Sequence, residues 1–129
     1  MLANGSAVQQ VLLNLLINAV EASESGCRVH VRFETVAAVP GEPEMLEVHV
    51  EDAGTGISNQ DAPRVFEPFF SRRQRGSGLG LFVSLNLTRG WGGDLRIVRT
   101  RMGEGTVFGV SFPIRAPGDR TLYTTRISS

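Results

Sequence analysis

Two asparagines one helical turn apart, Asn14 and Asn18, interrupt a segment otherwise rich in leucine, isoleucine, valine and alanine, Gln10-Val-Leu-Leu-Asn14-Leu-Leu-Ile-Asn18-Ala19. With Gln10 they fall at i, i+4 and i+8, and Glu21 and Ser25 lie close to the same line, so a thin polar stripe runs along a greasy helix. Such a stripe is either the helix's solvent face or an edge turned toward a ligand. Asparagine is a poor helix former, and a solvated face selects lysine, glutamate or glutamine, so two asparagines favour the ligand. An asparagine carbonyl is a neutral hard-oxygen donor, suited to Mg²⁺ that already carries phosphate oxygens and waters.

Further along, Asp52-Ala-Gly54-Thr-Gly56-Ile57 follows a strand pattern, which puts the aspartate at a strand end. A buried carboxylate there accepts a hydrogen bond from an exocyclic amine and selects adenine over guanine. The glycines let the backbone turn and approach a flat ring. The same residues also describe a plain tight turn with Asp52 making a local bond, and both readings stand at this point. Gly76-Ser-Gly78-Leu79-Gly80-Leu81 opens a helix, where free N–H groups and the positive end of the dipole attract phosphate. It is neither a Walker loop, since no Gly-Lys-Ser/Thr follows, nor a dinucleotide fingerprint within a βαβ unit. Arg72, Arg73 and Arg75 precede it as forked donors for phosphate or as a merely solvated run, with Arg73 favoured for contact. Phe66, Phe69 and Phe70 flank Pro68 and are either core or pegs for a nucleotide-ordered lid over residues 67–77. His30 and His49 sit on polar strand faces without the partners of a nucleophile or metal ligand.

The elements that must hold these residues follow from periodicity. Residues 6–24 read as a helix with Ser6 as N-cap and Gly26 as its stop. Arg28–Glu34 and Met45–Glu51 alternate apolar with polar, so Val29, Val31 and Phe33 face a core, and the Pro/Gly-rich stretch between the two joins a hairpin. A short helix over 59–65, capped by Ser58, precedes the polar run. An apolar helix from Gly78 to Thr88 ends at Gly90, and strands at Asp94–Thr100 and Thr106–Ile114 flank a turn at Met102–Gly105. Residues 116–129 are polar without apolar period and read as a tail to a domain over 1–115. Helices on one side and strands on the other give a two-layer α/β sandwich. Without strict strand–helix alternation, a doubly wound sheet is disfavoured.

At 129 residues, 41% hydrophobic, the chain suits one domain with a real core and is too short for two. Thirteen basic and thirteen acidic side chains cancel, so no global field favours nucleic acid or an anionic membrane, and any anion must be bound locally. The single Cys27 excludes an internal disulfide and fits a reducing cytoplasm. No stretch has the length and apolarity of a signal peptide or span, so membrane contact by this domain is not expected, although a parent protein anchored in a membrane stays compatible.

Taken in order, these motifs resemble the N, G1, F, G2 and G3 boxes of the catalytic ATP-binding domain of bacterial sensor histidine kinases, within the Bergerat-fold (GHKL) ATPases. The resemblance covers roughly residues 4–114 and includes Gly103-Glu-Gly105-Thr106 as the last box. Asn18-Ala-Val-Glu21-Ala and Phe66-Glu-Pro-Phe-Phe-Ser leading quickly to Gly76 are most similar to the nitrogen-regulation-like group. The resemblance implies an α+β fold with a mixed, mostly antiparallel sheet and helices on one face. It implies that Asn18 binds Mg²⁺ with Asn14 supporting the same site, these two being the catalytic pair. Asp52 would bind the adenine amine, Gly54, Gly56, Ile57 and Thr106 would surround the base, and Phe66 would line the site. Arg73, Gly76, Gly78, Leu79 and Gly80 would serve the phosphates.

The implied partners are ATP and a separate dimerisation domain carrying the phosphoacceptor histidine, with a response regulator met only indirectly. The implied reaction is transfer of the γ-phosphoryl group to that histidine. Hydrolases and serine kinases of the same superfamily carry a glutamate one turn before the metal asparagine as general base, and here that position is Asn14, which cannot accept a proton. A nucleotide-sensing module without phosphotransfer is the contrasting reading, and a GHKL serine kinase or ATPase is the more distant one. Trp91 stands before Gly92-Gly93 where relatives usually carry histidine, and the phosphoacceptor helices are absent from the sequence.

Overall fold

A computed structural model describes residues 5–23, 27–36, 44–70 and 80–115. The stretch over 71–79, with Arg72, Arg73, Arg75, Gly76, Gly78 and Leu79, lies outside the described residues, as do most of the lid assigned to 67–77, Ser25, Gly26, the hairpin loop and the tail from 116.

The chain runs α1 (Gly5–Ala22), β1 (His30–Val36), β2 (Glu44–Glu51), a single 3-10 turn (Ala62–Arg64), α2 (Gly80–Gly90), β3 (Asp94–Arg101) and β4 (Gly105–Arg115). The strands form one sheet in the order β1-β2-β4-β3, and all three pairings are antiparallel. No parallel pair occurs among the described strands, where the resemblance implies a mixed sheet.

Register explains the core. Val48 pairs with Val110 and with Phe33, Val50 with Phe108 and Val31, Leu46 with Phe112, and Leu95 with Val110, so one face of every strand is apolar. Against that face α1 lays Val11, Leu15, Ala19 and Ala22, all buried. The spacing of these four is the stripe a 3.6-residue helix turns to a core. Val29, Val31 and Phe33 are half-buried against the same cluster, as alternation requires. The other face of the sheet is solvated and ion-paired: Arg96 reaches Glu47 at 3.0 Å and Arg99 reaches Glu51 at 2.8 Å. Arg96 passes over Gly109, where a Cβ would press on the guanidinium and on Val98 at the β3 bulge.

Several boundaries differ from the sequence reading. Ser6 lies inside α1, which begins at Gly5, so it is not the N-cap. The helix expected over 59–65 contracts to the 3-10 turn because Pro63 has no N–H to return to residue 59. Both Asp61 N and Ala62 N bond to the Ser58 carbonyl, and Arg64 N to Asp61 O, while the Ser58 hydroxyl accepts from Asp61 N at 3.1 Å. Helix α2 continues through Gly90. The residue that takes the left-handed conformation after it is Gly92, at φ 90°, with Gly93 N returning to Thr88 O at 3.0 Å.

Trp91 is buried, its ring tilted on Phe112 with centroids 5.4 Å apart, and its Nε1 has no partner among the described residues. The tryptophan thus fills the core at the end of α2. His30 is exposed, but His49 is half-buried, its Nε2 3.8 Å from Glu47 and without a hydrogen-bond partner among the described residues, so it is less of a surface residue than alternation suggests.

Candidate nucleotide site

Asp52 leaves the end of β2 and is 4% exposed. Its backbone N–H donates to Thr106 O at 2.9 Å, and its Oδ1 accepts from Gly54 N at 2.9 Å and from Thr106 N at 3.2 Å. The first side-chain bond is a local turn bond, and the second crosses to β4. One carboxylate oxygen therefore organises the turn, while no donor among the described residues is assigned to Oδ2.

The wall around it is a hydroxyl relay. Ile57 N donates to Thr100 Oγ1 at 2.8 Å, and Thr100 Oγ1 lies 2.8 Å from Thr106 Oγ1. Thr106 is 3% exposed and Ile57 is likewise buried. Thr100 was not among the residues expected at the site. The signal that would have found it is its place opposite Thr106 across a tight hairpin, where two threonines on one face meet.

The two glycines of this turn answer to the protein before any ligand. A Cβ on Gly54 would strike the carbonyl of Ala22 at the end of α1, and one on Gly56, whose φ is 78°, would strike the carbonyl of Arg101. Side chains at these positions are excluded by backbone packing, whereas the sequence reading assigned the need for glycine to a flat ring. The same close approach docks the Asp52 turn on the C-terminal end of α1.

Asn14 and Asn18 are half-buried, between the buried stripe of α1 and its exposed side. Gln10 and Glu21, at the margins of the stripe, are exposed. Asn14 Nδ2 donates to Ser84 Oγ at 3.1 Å, which ties α1 to α2. Ser84 and Thr88 are fully buried, and Thr88 Oγ1 donates to Ser84 O at 2.7 Å. Ser84 was missed by the sequence reading, which took α2 as plainly apolar. Since it lies one turn into α2, the N-terminal end of that helix, beginning at Gly80, stands about one turn from Asn14. Along α1, Asn18 lies one turn and Asn14 two turns, about 12 Å, from Ala22 and the Asp52 turn. The Asp52 turn and the amide pair thus lie along one helix, and Asn14 is the point at which that helix is tied to α2.

The aromatic segment divides. Phe66 meets Phe108 edge-on at 6.1 Å, and Phe70 packs on the core with Arg64 5.0 Å over its ring. Phe69 is 76% exposed and has φ 65°. Among the described residues no cluster of three acidic, histidine or cysteine side chains is placed to hold a metal.

Residues 3–116 match the family of histidine kinase-, DNA gyrase B- and HSP90-like ATPases. The chain belongs to that family. It is the catalytic ATPase domain of a two-component sensor histidine kinase, as its relatives agree. The two-component sensor PprA of Pseudomonas aeruginosa is 40% identical over 126 residues, which is 92% of this chain and 13% of PprA. The signal transduction histidine-protein kinase AtoS of Escherichia coli is 33% identical over 93% of this chain and 19% of its own length. Among solved structures, the mycobacterial sensor histidine kinase MprB superposes with a TM-score of 0.75 at 33% identity, covering 88% of this chain and 76% of that one. Full-length ShkA in complex with AMPPNP superposes with a TM-score of 0.65 at 29% identity, over 85% of this chain and 22% of that one. The chain therefore spans under a fifth of the two curated relatives. No helix among its described residues is long and apolar enough to cross a membrane.

Proposed function

We propose that this domain binds ATP with Mg²⁺ and presents the γ-phosphoryl group to a histidine on the dimerisation domain of its parent protein. The observation that carries the reading is Asp52, a buried carboxylate with one oxygen held by two backbone N–H groups and the other left for an adenine amine. The 12 Å or so of α1 between that turn and Asn14 is then crossed by ribose and phosphates, which end beside the start of α2. Gly54, Gly56, Ile57 and Thr106 form the base end. Phe66 lines it, and Gly80 belongs to the phosphate end. Arg73, Gly76, Gly78 and Leu79 join the phosphate end by resemblance alone.

The donor set fits Mg²⁺ of a particular kind. Among the described residues no acidic cluster is placed to hold a metal, and the amide oxygens of Asn18 and Asn14 are neutral hard donors, so Asn18, supported by Asn14, would complete a shell supplied mainly by phosphates and waters. When bound, the ion neutralises charge on the phosphates. The chain's own contribution is positioning: Ser84 fixes Asn14, and the Thr100–Thr106 relay fixes the base wall. Transfer breaks the bond from the γ-phosphorus to the oxygen it shares with the β-phosphate, as an imidazole nitrogen of the partner bonds to phosphorus. ADP leaves with the electron pair, and the imidazole N–H proton passes to a base of the partner or to water. Such a reaction depends mostly on alignment and charge stabilisation, so no glutamate is needed at position 14.

We propose likewise a domain over 1–115 with 116–129 as tail, a cytoplasmic location, the nitrogen-regulation-like subgroup, and a response regulator served through the parent. The test mixes this chain with ATP, Mg²⁺ and the parent's dimerisation domain and looks for acid-labile phosphohistidine. Label that vanishes in Asn18→Ala supports the reading. Tight ATP binding without transfer favours a nucleotide-sensing module, and rapid hydrolysis by the lone chain refutes the argument from Asn14.

A further inference from the structure

Helix α1 is apolar on two sides. Its inner side, Val11, Leu15, Ala19 and Ala22, is spent on the sheet. On the outer side Leu13 is 56% exposed, Leu16 36%, Ile17 46% and Val20 64%. Glu21 is the helix's single charged residue. A surface helix ordinarily carries charge opposite its core stripe, and a contiguous apolar face in that place marks an interaction surface. We infer that the Leu13–Leu16–Ile17–Val20 face of α1 is the docking surface for a helix of the parent's dimerisation domain, an inference that rests on the kinase reading above.

Three observations select that occupant. The offsets 0, 3, 4 and 7 form the seam along which one helix packs on another, so the partner is a helix with its own apolar stripe. The seam carries no charge, which disfavours nucleic acid or a charged peptide. Its position also matters: Leu13 and Ile17 immediately precede Asn14 and Asn18 in sequence, about 100° away around the helix. A helix seated at the usual interaxial distance of about 8–10 Å lies alongside the two amides, where an acceptor imidazole has to reach the γ-phosphoryl group. The length of the relatives leaves room for the partner, since this chain accounts for 13% of PprA and 19% of AtoS. A second copy of this chain on the same face would occupy the seam without bringing an acceptor, and it is the competing occupant.

The test uses the complete chain carrying Leu13→Gln and Val20→Gln. Both sites are well exposed, and glutamine is as helix-compatible as the residues removed, so folding and ATP affinity stay as in the parent chain. Fluorescence anisotropy of the parent's labelled dimerisation domain, titrated with this chain plus AMPPNP and Mg²⁺, reads docking directly. Loss of at least about tenfold in docking affinity is expected, with calorimetric ATP affinity unchanged. Undiminished docking by the double variant, or no docking by the unmodified chain, overturns the inference. Self-association of the unmodified chain that the double variant abolishes, seen by sedimentation, also overturns it, in favour of the second copy. Docking without any phosphohistidine leaves this surface standing and defeats the kinase reading instead. Asn18→Ala, which should dock normally yet transfer nothing, separates the two.

Discussion

Replacing Asp52 in two ways separates its binding role from its structural one. In Asp52→Asn the side-chain oxygen continues to accept from Gly54 N and Thr106 N, the two bonds at 2.9 and 3.2 Å, while an amide N–H₂ takes the place of Oδ2. The adenine amine then meets a donor in place of a charged acceptor. Losing a hydrogen bond to a charged group costs about 1.5–3 kcal/mol, roughly ten- to a hundredfold in affinity, with folding little changed. Asp52→Ala removes the acceptor of both N–H groups as well. Each stranded buried donor costs about 1–3 kcal/mol, so the fold loses about 2–6 kcal/mol, a large part of the stability of a domain this size. Calorimetry with ATP, ADP and GTP in Mg²⁺ reads the first effect. Urea unfolding followed by the emission of Trp91, the single tryptophan, reads the second. Equal destabilisation by the two substitutions, undiminished ATP affinity in Asp52→Asn, or GTP bound as tightly as ATP by the unmodified chain would refute the division of labour between the two oxygens.

Gly56→Ala places a Cβ against the Arg101 carbonyl at a φ of 78° and should cost about 2–5 kcal/mol in urea unfolding, with a loss under 1 kcal/mol showing that the β3–β4 hairpin yields freely. Ser84→Ala should cost only about 0.5–1.5 kcal/mol of stability and weaken Mg²⁺-dependent ATP binding several-fold while leaving the preference over GTP intact, since it frees Asn14 and not Asp52. A change in base preference would place Ser84 elsewhere in the site's logic. Trp91→Ala should destabilise by about 3–5 kcal/mol, whereas Trp91→Phe, which keeps an aromatic on Phe112 and removes a buried N–H without a partner among the described residues, should stay within about 1 kcal/mol. Chemical denaturation distinguishes the pair.

The strands were legible because period-2 alternation is a direct image of a sheet with one buried face. Val29, Val31 and Phe33 are read from that alternation and pack against the core cluster, and the register sets Val31 opposite Val50 and Phe33 opposite Val48. Element ends were less legible, for local reasons. Pro63 shortens the expected helix to a 3-10 turn whose N-cap position is Asp61, Ser58 only accepting from Asp61 N in the turn before it, and the stop after α2 belongs to Gly92 because left-handed geometry is needed there and not at Gly90. The order of motifs gave the family, which depends on many residues at once and so survives errors in any one.

What the sequence conceals is the cause behind a residue type. Glycine at 54 and 56 reads equally as a cradle for a ring or as clearance for backbone, and only the approach of Ala22 and Arg101, respectively 32 and 45 residues away, decides that clearance is needed whatever the ligand does. The same blindness hid Ser84: a small hydroxyl inside an apolar period looks like filler until Asn14, on another helix, is found at 3.1 Å. A polar residue on a buried face has to be answered by a partner, because an unmade bond there is costly. Ser84 and Thr88, one turn apart on the inward side of α2, were therefore detectable as unanswered hydroxyls even though the Asn14 partner was not, whereas Thr100 was detectable from its place opposite Thr106. Long-range satisfaction of small polar groups is the part of this site that periodicity cannot express, and it is also the part that holds Asn14 and the Asp52 wall in fixed positions.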